Sequence, residues 1–198
     1  EATHEICDAD STRQLLPAAT AAGRALYAAL GARAAGCAAI TLTENIAGLS
    51  RVAHIEPRER ARCDDLVIDL AALPGLTGVT TANLGRPVVL CGDPVVADTA
   101  LELFGDSPPC DPSARWTRRP TSFFQANRFL VGRLARRVLD AARGERVVDL
   151  YAGVGLFAVA LAARGTSVVA VEGDRSSGAD LSANARPWKD LLLVVREP

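Results

Sequence analysis

Apolar and polar positions in the last third of the chain predict strands that alternate with helices. Two short apolar runs, RVVDLYAG and TSVVAVEGD, are typical of strands buried in a parallel sheet, and LLLVVRE has the same character. Between them, LFAVALAARG and SSGADLSANAR have the pattern of helices. This βαβαβ order predicts an α/β fold with a parallel sheet and right-handed crossovers.

An amphipathic helix is predicted immediately before the first of these strands, over QANRFLVGRLARRVLDAARG. Phe129, Leu130, Leu134 and Val138 recur at near-helical spacing, so we expect them to face the core and the arginines to face solvent. Gly144 is expected to end the helix.

The first hundred residues have a different pattern, which predicts a small α+β arrangement. Residues 11–34 predict a helix, and the charged segment 58–73 predicts a second one. Alternating segments at 37–57 and 78–94 predict two pairs of strands with tight turns. Residues 105–122 contain four prolines and little apolar periodicity, which predicts a linker or surface loop.

The overall charge changes this picture little. The chain of 198 residues has a formal net charge of −1, without the large positive excess of many nucleic-acid-binding proteins. Arg115, Arg118 and Arg119 do cluster around Trp116, and such a group can contact RNA by charge and stacking, or can be a solvated surface.

Five cysteines, an odd number without C-x-x-C spacing, argue against a disulfide framework or a metal site. Reduced thiols favour a cytoplasmic protein. No apolar run reaches the ~20 residues of a membrane span, so a membrane is not an expected partner. DNA is not an expected partner either. The chain begins with Glu1, from which we expect a processed protein or a piece of a longer one.

The turn after the first predicted parallel strand is the candidate ligand site. Gly153 and Gly155 would allow a sharp turn and close approach of a ligand to the backbone, ahead of free N–H groups at a helix start. Asp149 lies four positions before the first glycine, where its carboxylate can serve the ammonium group of S-adenosylmethionine. Glu172 ends the next strand and can accept hydrogen bonds from a ribose diol. GVGLFA also fits the loose dinucleotide fingerprint, and a glycine turn without any ligand is a further alternative.

Three motifs at compatible spacing carry a resemblance to a known family. They are an F-x-Q-x-N box, then D-L-Y-x-G-x-G-x-F, and then a strand that ends in glutamate. The matching residues are Phe123, Gln125 and Asn127; Asp149, Tyr151, Gly153, Gly155 and Phe157; Glu172; and, less distinctively, Asn184 and Ala185. Together they resemble the S-adenosylmethionine-dependent RNA (uracil-C5-)methyltransferases, which form 5-methyluridine in ribosomal or transfer RNA.

The resemblance implies the first part of a Rossmann-like methyltransferase sheet, preceded by a small α+β domain. Residues 1–120 would be the central, substrate-side domain, and residues 121–198 an incomplete part of the cofactor domain. Gln125 and Tyr151 would contact the cofactor, and Glu172 its ribose. Phe123 would lie near the substrate base, although two adjacent phenylalanines are also typical of a core, Gln125 could cap a helix, and Tyr151 could be an ordinary strand residue.

The chain departs from the family pattern where catalysis is concerned. The family adds a cysteine thiolate to uracil C6, and its cysteine, aspartate and glutamate motifs have no counterpart here, so no catalytic residue is assigned. Leu156 stands where many members have Asn, and Cys7 matches one of four iron–sulfur ligands of some members. The resemblance thus predicts a cofactor-binding portion that is inactive by itself. A non-catalytic RNA-binding remnant and a small-molecule methyltransferase remain alternatives, and a nicotinamide-dependent dehydrogenase gives Asp149 no role.

Overall fold

The computed structural model describes residue 11 and residues 15–59, 61–125 and 127–197. The chain divides into two compact units. The first contains the described residues up to Glu44 together with Gly48–Pro94, and the second contains Asn45–Ala47 and the chain from Val95. The domain boundary predicted at residue 120 lies later in the sequence than this division.

The described residues of the first unit contain a four-stranded mixed sheet and an α-helix that precedes it. Its strands follow the order β1-β2-β3-β4, in which the outer pairs are antiparallel and the central pair is parallel. The elements are α1 (Pro17–Leu30), β1 (Cys37–Glu44), β2 (Arg51–Pro57), β3 (Gly78–Asn83) and β4 (Arg86–Gly92). Both predicted strand pairs are therefore confirmed, because period-two alternation fixes a strand locally.

The charged helix predicted over 58–73 is wrong. Described residues of this segment form only a short 3-10 turn at Leu70–Ala72, capped by the Asp69 carboxylate, which accepts the Ala71 N–H. The Asp64 carboxylate accepts hydrogen bonds from Arg62 and from the Asn83 amide. Short acidic side chains that find such partners favour turns over helix, which the apolar spacing of the sequence did not reveal.

The second unit contains the predicted βαβαβ arrangement. A two-stranded antiparallel ribbon, β5 (Val96–Thr99) and β6 (Arg115–Arg118), precedes a parallel sheet of order β7-β8-β9. The other elements are α2 (Ala100–Phe104), α3 (Val131–Ala141), β7 (Arg146–Leu150), α4 (Leu156–Ala163), β8 (Ser167–Val171), α5 (Arg175–Ala185) and β9 (Leu192–Val195). The predicted parallel sheet is confirmed.

Residues 105–122 are only partly the predicted loop, because β6 lies within them. Trp116 is fully buried in the core of the second unit, with its ring edge-to-face on Phe104. Burial of so large an aromatic surface outweighs the prolines around it.

The buried face of α3 differs from the one predicted. Phe129, Leu130 and Leu134 are exposed, while the helix buries Val131, Ala135 and Leu139. A Cβ on Gly132 would lie 2.0 Å from the Leu103 carbonyl oxygen, so α3 approaches α2 too closely for a larger side chain. This close approach at Gly132 turns the side of α3 with Val131, Ala135 and Leu139 toward the interior.

The parallel sheet is covered unevenly by the described residues. Val168 and Ala170 are buried beneath the helices, whereas Val148, Leu150 and Leu193 are each more than half exposed. No helix in the described part of the chain combines the length and apolar character needed to cross a membrane.

Candidate functional site

The glycine turn joins the end of β7 to the start of α4, at the carboxyl edge of the parallel sheet. The Ala152 N–H donates to the Val171 carbonyl at the end of β8, and the Gly155 N–H donates to the Ala152 carbonyl. The turn thus sits against both strand ends, where α/β sheets bind their ligands.

Both glycines of the turn adopt a left-handed backbone, with φ of 58° at Gly153 and 91° at Gly155. A Cβ on Gly155 would lie 2.7 Å from Leu181 Cδ1, and one on Gly153 would lie 3.3 Å from the Phe123 carbonyl oxygen. Other atoms of the protein therefore already occupy the space that a side chain at either glycine would need. A larger residue at either position would displace α5 or the segment at Phe123.

Tyr151 also has a left-handed backbone, with φ of 59°, and its residue surface is 90% exposed. A non-glycine residue pays a conformational cost in this region, and burial of the tyrosine ring does not offset that cost here. Strain without a packing reason is common at functional sites, which is consistent with the predicted contact to a cofactor.

Glu172, directly after β8, is half-buried and holds the turn through its carboxylate. Oε2 accepts the Gly153 N–H at 2.7 Å, and Oε1 accepts the Asp174 N–H at 2.7 Å. Each carboxylate oxygen has capacity for a further hydrogen bond, so the group can still accept from hydroxyl donors. Its position is fixed before any ligand arrives.

Asp149, on β7, carries an unsatisfied buried oxygen. Among the described residues, Oδ2 of this carboxylate has no hydrogen-bond partner. Burial, with a smaller contribution from the charge of Glu172, raises the pKa of Asp149 to about 6. A buried carboxylate oxygen without a donor is costly, and a cationic donor would stabilise its ionised form.

The segment that carries the F-x-Q-x-N box lies next to the turn. Phe123 is 65% exposed, so its interpretation as a core residue is wrong, and Gln125 is half-buried. The Asn127 carboxamide oxygen accepts the Phe129 and Leu130 N–H groups in the turn before α3, and the helix itself begins after Leu130 without a side-chain cap, so Gln125 does not cap it. The side chain of Phe123 is therefore available at the edge of the turn.

The predicted basic cluster around Trp116 is divided in the structure, because Arg115 is exposed whereas Arg118 is buried. Trp116 is fully buried, and Arg118 is buried in an ion pair with Asp98, with its guanidinium 3.9 Å from the Phe124 ring centre. Sequence proximity grouped these residues, but strand alternation and the acidic partner Asp98 determine where each side chain lies.

Several residues that the sequence analysis did not assign to the cofactor site support it. The Trp116 indole N–H donates to the Gly155 carbonyl at 3.0 Å. Ser177 and Asp180 on α5 contact the backbone ahead of Phe123. The sequence signal for them is a row of polar residues at helical spacing on α5.

Metal and thiol chemistry has little support in the described part of the chain. It contains no group of three or more His, Cys, Asp or Glu side chains that could hold a metal ion. Cys37, Cys63, Cys91 and Cys110 are free, and burial raises the pKa of Cys110 to about 11. Cys7 lies outside the described residues.

The parallel sheet with the glycine turn at its carboxyl edge matches the fold of S-adenosylmethionine-dependent methyltransferase structures. The structure superimposes on the crystal structure of Pyrococcus abyssi tRNA (uracil-54, C5)-methyltransferase in complex with S-adenosyl-L-homocysteine, with a TM-score of 0.59 and 17% sequence identity. The match covers 79% of this chain and 38% of that one. The predicted fold class is confirmed.

Sequence comparison shows which methyltransferases the chain is similar to. Over 50 residues the chain is 48% identical to the tRNA (uracil(54)-C(5))-methyltransferase of Pyrococcus horikoshii, which covers 25% of this chain and 12% of that protein. Over 69 residues it is 44% identical to the 23S rRNA (uracil(1939)-C(5))-methyltransferase of Nitrosococcus oceani, which covers 33% of this chain and 15% of that protein. No protein-family model matches the chain. The predicted resemblance to RNA uracil-C5 methyltransferases is thus confirmed over about a third of the chain, which itself matches less than a sixth of either relative.

Proposed function

We propose that this chain is the cofactor-binding portion of an S-adenosylmethionine-dependent methyltransferase that acts on C5 of uridine in transfer or ribosomal RNA. The names of the two curated relatives support the reaction and the RNA substrate. The fold shared with a tRNA methyltransferase supports the cofactor domain. We further propose a cytoplasmic location, in keeping with an RNA substrate and free thiols.

The observation that carries the proposal is the pair of carboxylates at adjacent strand ends. Asp149 offers a buried oxygen without a donor, and Glu172 offers a carboxylate already fixed by two N–H groups. S-adenosylmethionine has a matching pair of features, an ammonium group at one end and a ribose diol nearer the base. The residues present therefore fit the cofactor.

Each site residue has a separate role in this proposal. Asp149 would bind the ammonium group, Glu172 the ribose hydroxyls, and Gln125 and Tyr151 would contact the cofactor beside the turn formed by Gly153 and Gly155. When bound, S-adenosylmethionine supplies an electrophilic methyl group. The protein's task at this site is to bind and orient it, and to keep the turn rigid while doing so.

Methyl transfer requires a nucleophile that we do not assign to this chain. Burial raises the pKa of Cys63, Cys91 and Cys110, so these thiols stay protonated at neutral pH, unlike an activated cysteine. We therefore propose that these 198 residues bind the cofactor without methylating RNA by themselves.

Calorimetric titration of the chain with S-adenosylhomocysteine and, separately, with NAD tests this function. We expect binding of S-adenosylhomocysteine, and weaker or undetectable binding of NAD, because NAD has no ammonium group for Asp149. Preferential binding of NAD would overturn the proposal. A tritium-release assay on uracil-labelled RNA should detect no turnover by the chain, and turnover would contradict the proposed need for further residues.

A further inference from the structure

Helix α5 buries a row of polar side chains against the segment that follows β6. Ser177, Asp180 and Asn184 recur at intervals of three and four residues, so they share one face of the helix, and each is at most 5% exposed. Buried polar groups are costly unless they are hydrogen-bonded. The hydrogen-bond partners of these three side chains therefore indicate the role of this helix face.

Asn184 uses its whole hydrogen-bonding capacity to join β6 to the glycine turn. Its Oδ1 accepts from the Thr117 N–H at 2.9 Å and from the Thr117 hydroxyl at 2.7 Å. Its Nδ2 donates to the Thr117 carbonyl at 2.9 Å and to the Val154 carbonyl at 2.9 Å. A carboxamide offers two donor hydrogens and an oxygen with two acceptor sites, whereas aspartate offers no donor and leucine offers neither.

The other two members of the row hold the next residues of the same segment. Asp180 Oδ2 accepts from the Arg119 N–H at 2.8 Å and from the Ser122 hydroxyl at 2.6 Å. The Ser177 hydroxyl oxygen accepts the Phe123 N–H at 3.1 Å. The chain from β6 to Phe123 is therefore tied to α5 at successive points.

These contacts set the spacing between the F-x-Q-x-N segment and the turn. Phe123 is held with its carbonyl oxygen 3.3 Å from the position of a Cβ on Gly153. Two successive carbonyl groups of the turn accept from this side of the unit, Val154 from Asn184 and Gly155 from the Trp116 indole. Displacing Asn184 would remove the hydrogen bonds that join β6 at Thr117 to the turn at Val154.

We propose that Asn184 is a positioning residue of the cofactor site, which fixes β6, from which the chain leads to Phe123 and Gln125, against the glycine turn. The inference rests on the proposed function for the choice of ligand. It assigns Asn184 no contact with the cofactor, because its four hydrogen bonds are made within the protein.

The variant Asn184→Asp tests the proposal, because it keeps the size of the side chain and places a carboxylate against the Thr117 and Val154 carbonyl oxygens. We expect the affinity for S-adenosylhomocysteine, measured by calorimetry at a temperature where the variant is folded, to fall by roughly tenfold or more. The matched control is Leu139→Ala, which removes a fully buried side chain in the last turn of α3. This control should lose stability and keep the wild-type affinity.

Hydrogen exchange gives a second readout that needs no ligand. The Arg119 and Phe123 amides should exchange roughly tenfold or more faster in Asn184→Asp, while amides in the centre of β8 keep their protection. If Asn184→Asp does not fold, Ser177→Ala removes only the acceptor of the Phe123 N–H, and should weaken binding and speed exchange at Phe123.

The outcomes separate this inference from the proposed function. Unchanged affinity in a folded Asn184→Asp, or an equal loss in Leu139→Ala, would overturn the positioning role while leaving the function intact. If the wild-type chain itself does not bind S-adenosylhomocysteine, the proposed function fails. In that case exchange decides the positioning role: faster exchange at Arg119 and Phe123 supports it, and unchanged exchange overturns it.

Discussion

The carboxylate of Glu172 accepts the backbone N–H of Gly153 at 2.7 Å. The acid that follows β8 therefore holds the glycine turn that follows the neighbouring strand, β7. A single side chain thereby links the shape of the glycine turn to the carboxylate proposed to bind ribose. Substitutions at Glu172 should therefore act on both.

Glu172→Gln should weaken the binding of S-adenosylhomocysteine and of adenosine by roughly tenfold each, because the amide nitrogen cannot accept from the Gly153 or Asp174 N–H and the charge opposite the ribose is lost. Calorimetry with both ligands measures this. Glu145→Gln, at an exposed position before β7, is the control and should bind like the wild type. Unchanged adenosine affinity in Glu172→Gln would remove the ribose assignment.

Asp149→Asn should weaken the binding of S-adenosylhomocysteine but not that of adenosine, because adenosine has no ammonium group. In the wild type, affinity for S-adenosylhomocysteine should rise from about pH 5 to about pH 7, as the carboxylate with a pKa of about 6 ionises. The asparagine variant should lack this rise. Parallel pH profiles for the two proteins would show that Asp149 does not bind the ammonium group.

The same carboxylate should affect stability in the opposite direction. The folded state holds the Asp149 proton more tightly than the unfolded state, because burial raises its pKa from 3.8 to about 6. Between these two values the folded state binds more protons, so this group's contribution to the free energy of unfolding falls as pH rises. At neutral pH, Asp149→Asn should therefore unfold at higher urea concentration than the wild type in the absence of ligand. An equal or lower midpoint would contradict the buried, unsatisfied state of the carboxylate.

Tyr151→Gly should stabilise the fold by about 1 kcal/mol, because glycine adopts φ of 59° without the cost of a Cβ. The same change should weaken S-adenosylhomocysteine binding if the exposed ring contacts the cofactor. Leu84→Gly is a matched control, with φ of 50° and an exposed side chain in the turn between β3 and β4. It should gain similar stability and leave binding unchanged. Wild-type affinity in Tyr151→Gly would show that the strain serves another purpose.

Asp98→Ala should destabilise the second unit by about 3–5 kcal/mol, because it leaves the buried Arg118 guanidinium without its acidic partner. The Asp98 carboxylate also accepts the Ile46 N–H at 2.6 Å. The control is Asp65→Ala, which breaks an ion pair with Arg33 in which both side chains are more than half exposed, and should cost about 1 kcal/mol or less. Urea unfolding of the two variants measures the difference, and similar small losses would mean that the Asp98 pair is not desolvated.

Local sequence patterns were sufficient to predict a secondary-structure element wherever that element depends on residues close along the chain. The run RVVDLYAG predicts β7, and the same run places Asp149 on that strand and Tyr151 directly after it. The alternation of apolar and polar residues likewise predicts the two strand pairs of the first unit. The helix that the apolar spacing predicts over 58–73 is wrong. Aspartates in this segment find side-chain partners distant in sequence, and they form turns instead.

The sequence by itself determined the order of strands and helices, the position of the glycine turn and the two acids beside it, because each of these follows from periodicity or from residues close along the chain. Only the tertiary structure decided which face of α3 is buried, why Arg118 is paired inside the fold, and that Asn184 joins β6 to the turn. Those outcomes depend on partners far away in sequence. Leu103 approaches Gly132, Asp98 pairs with Arg118, and the Val154 carbonyl accepts from Asn184 only when the chain has folded.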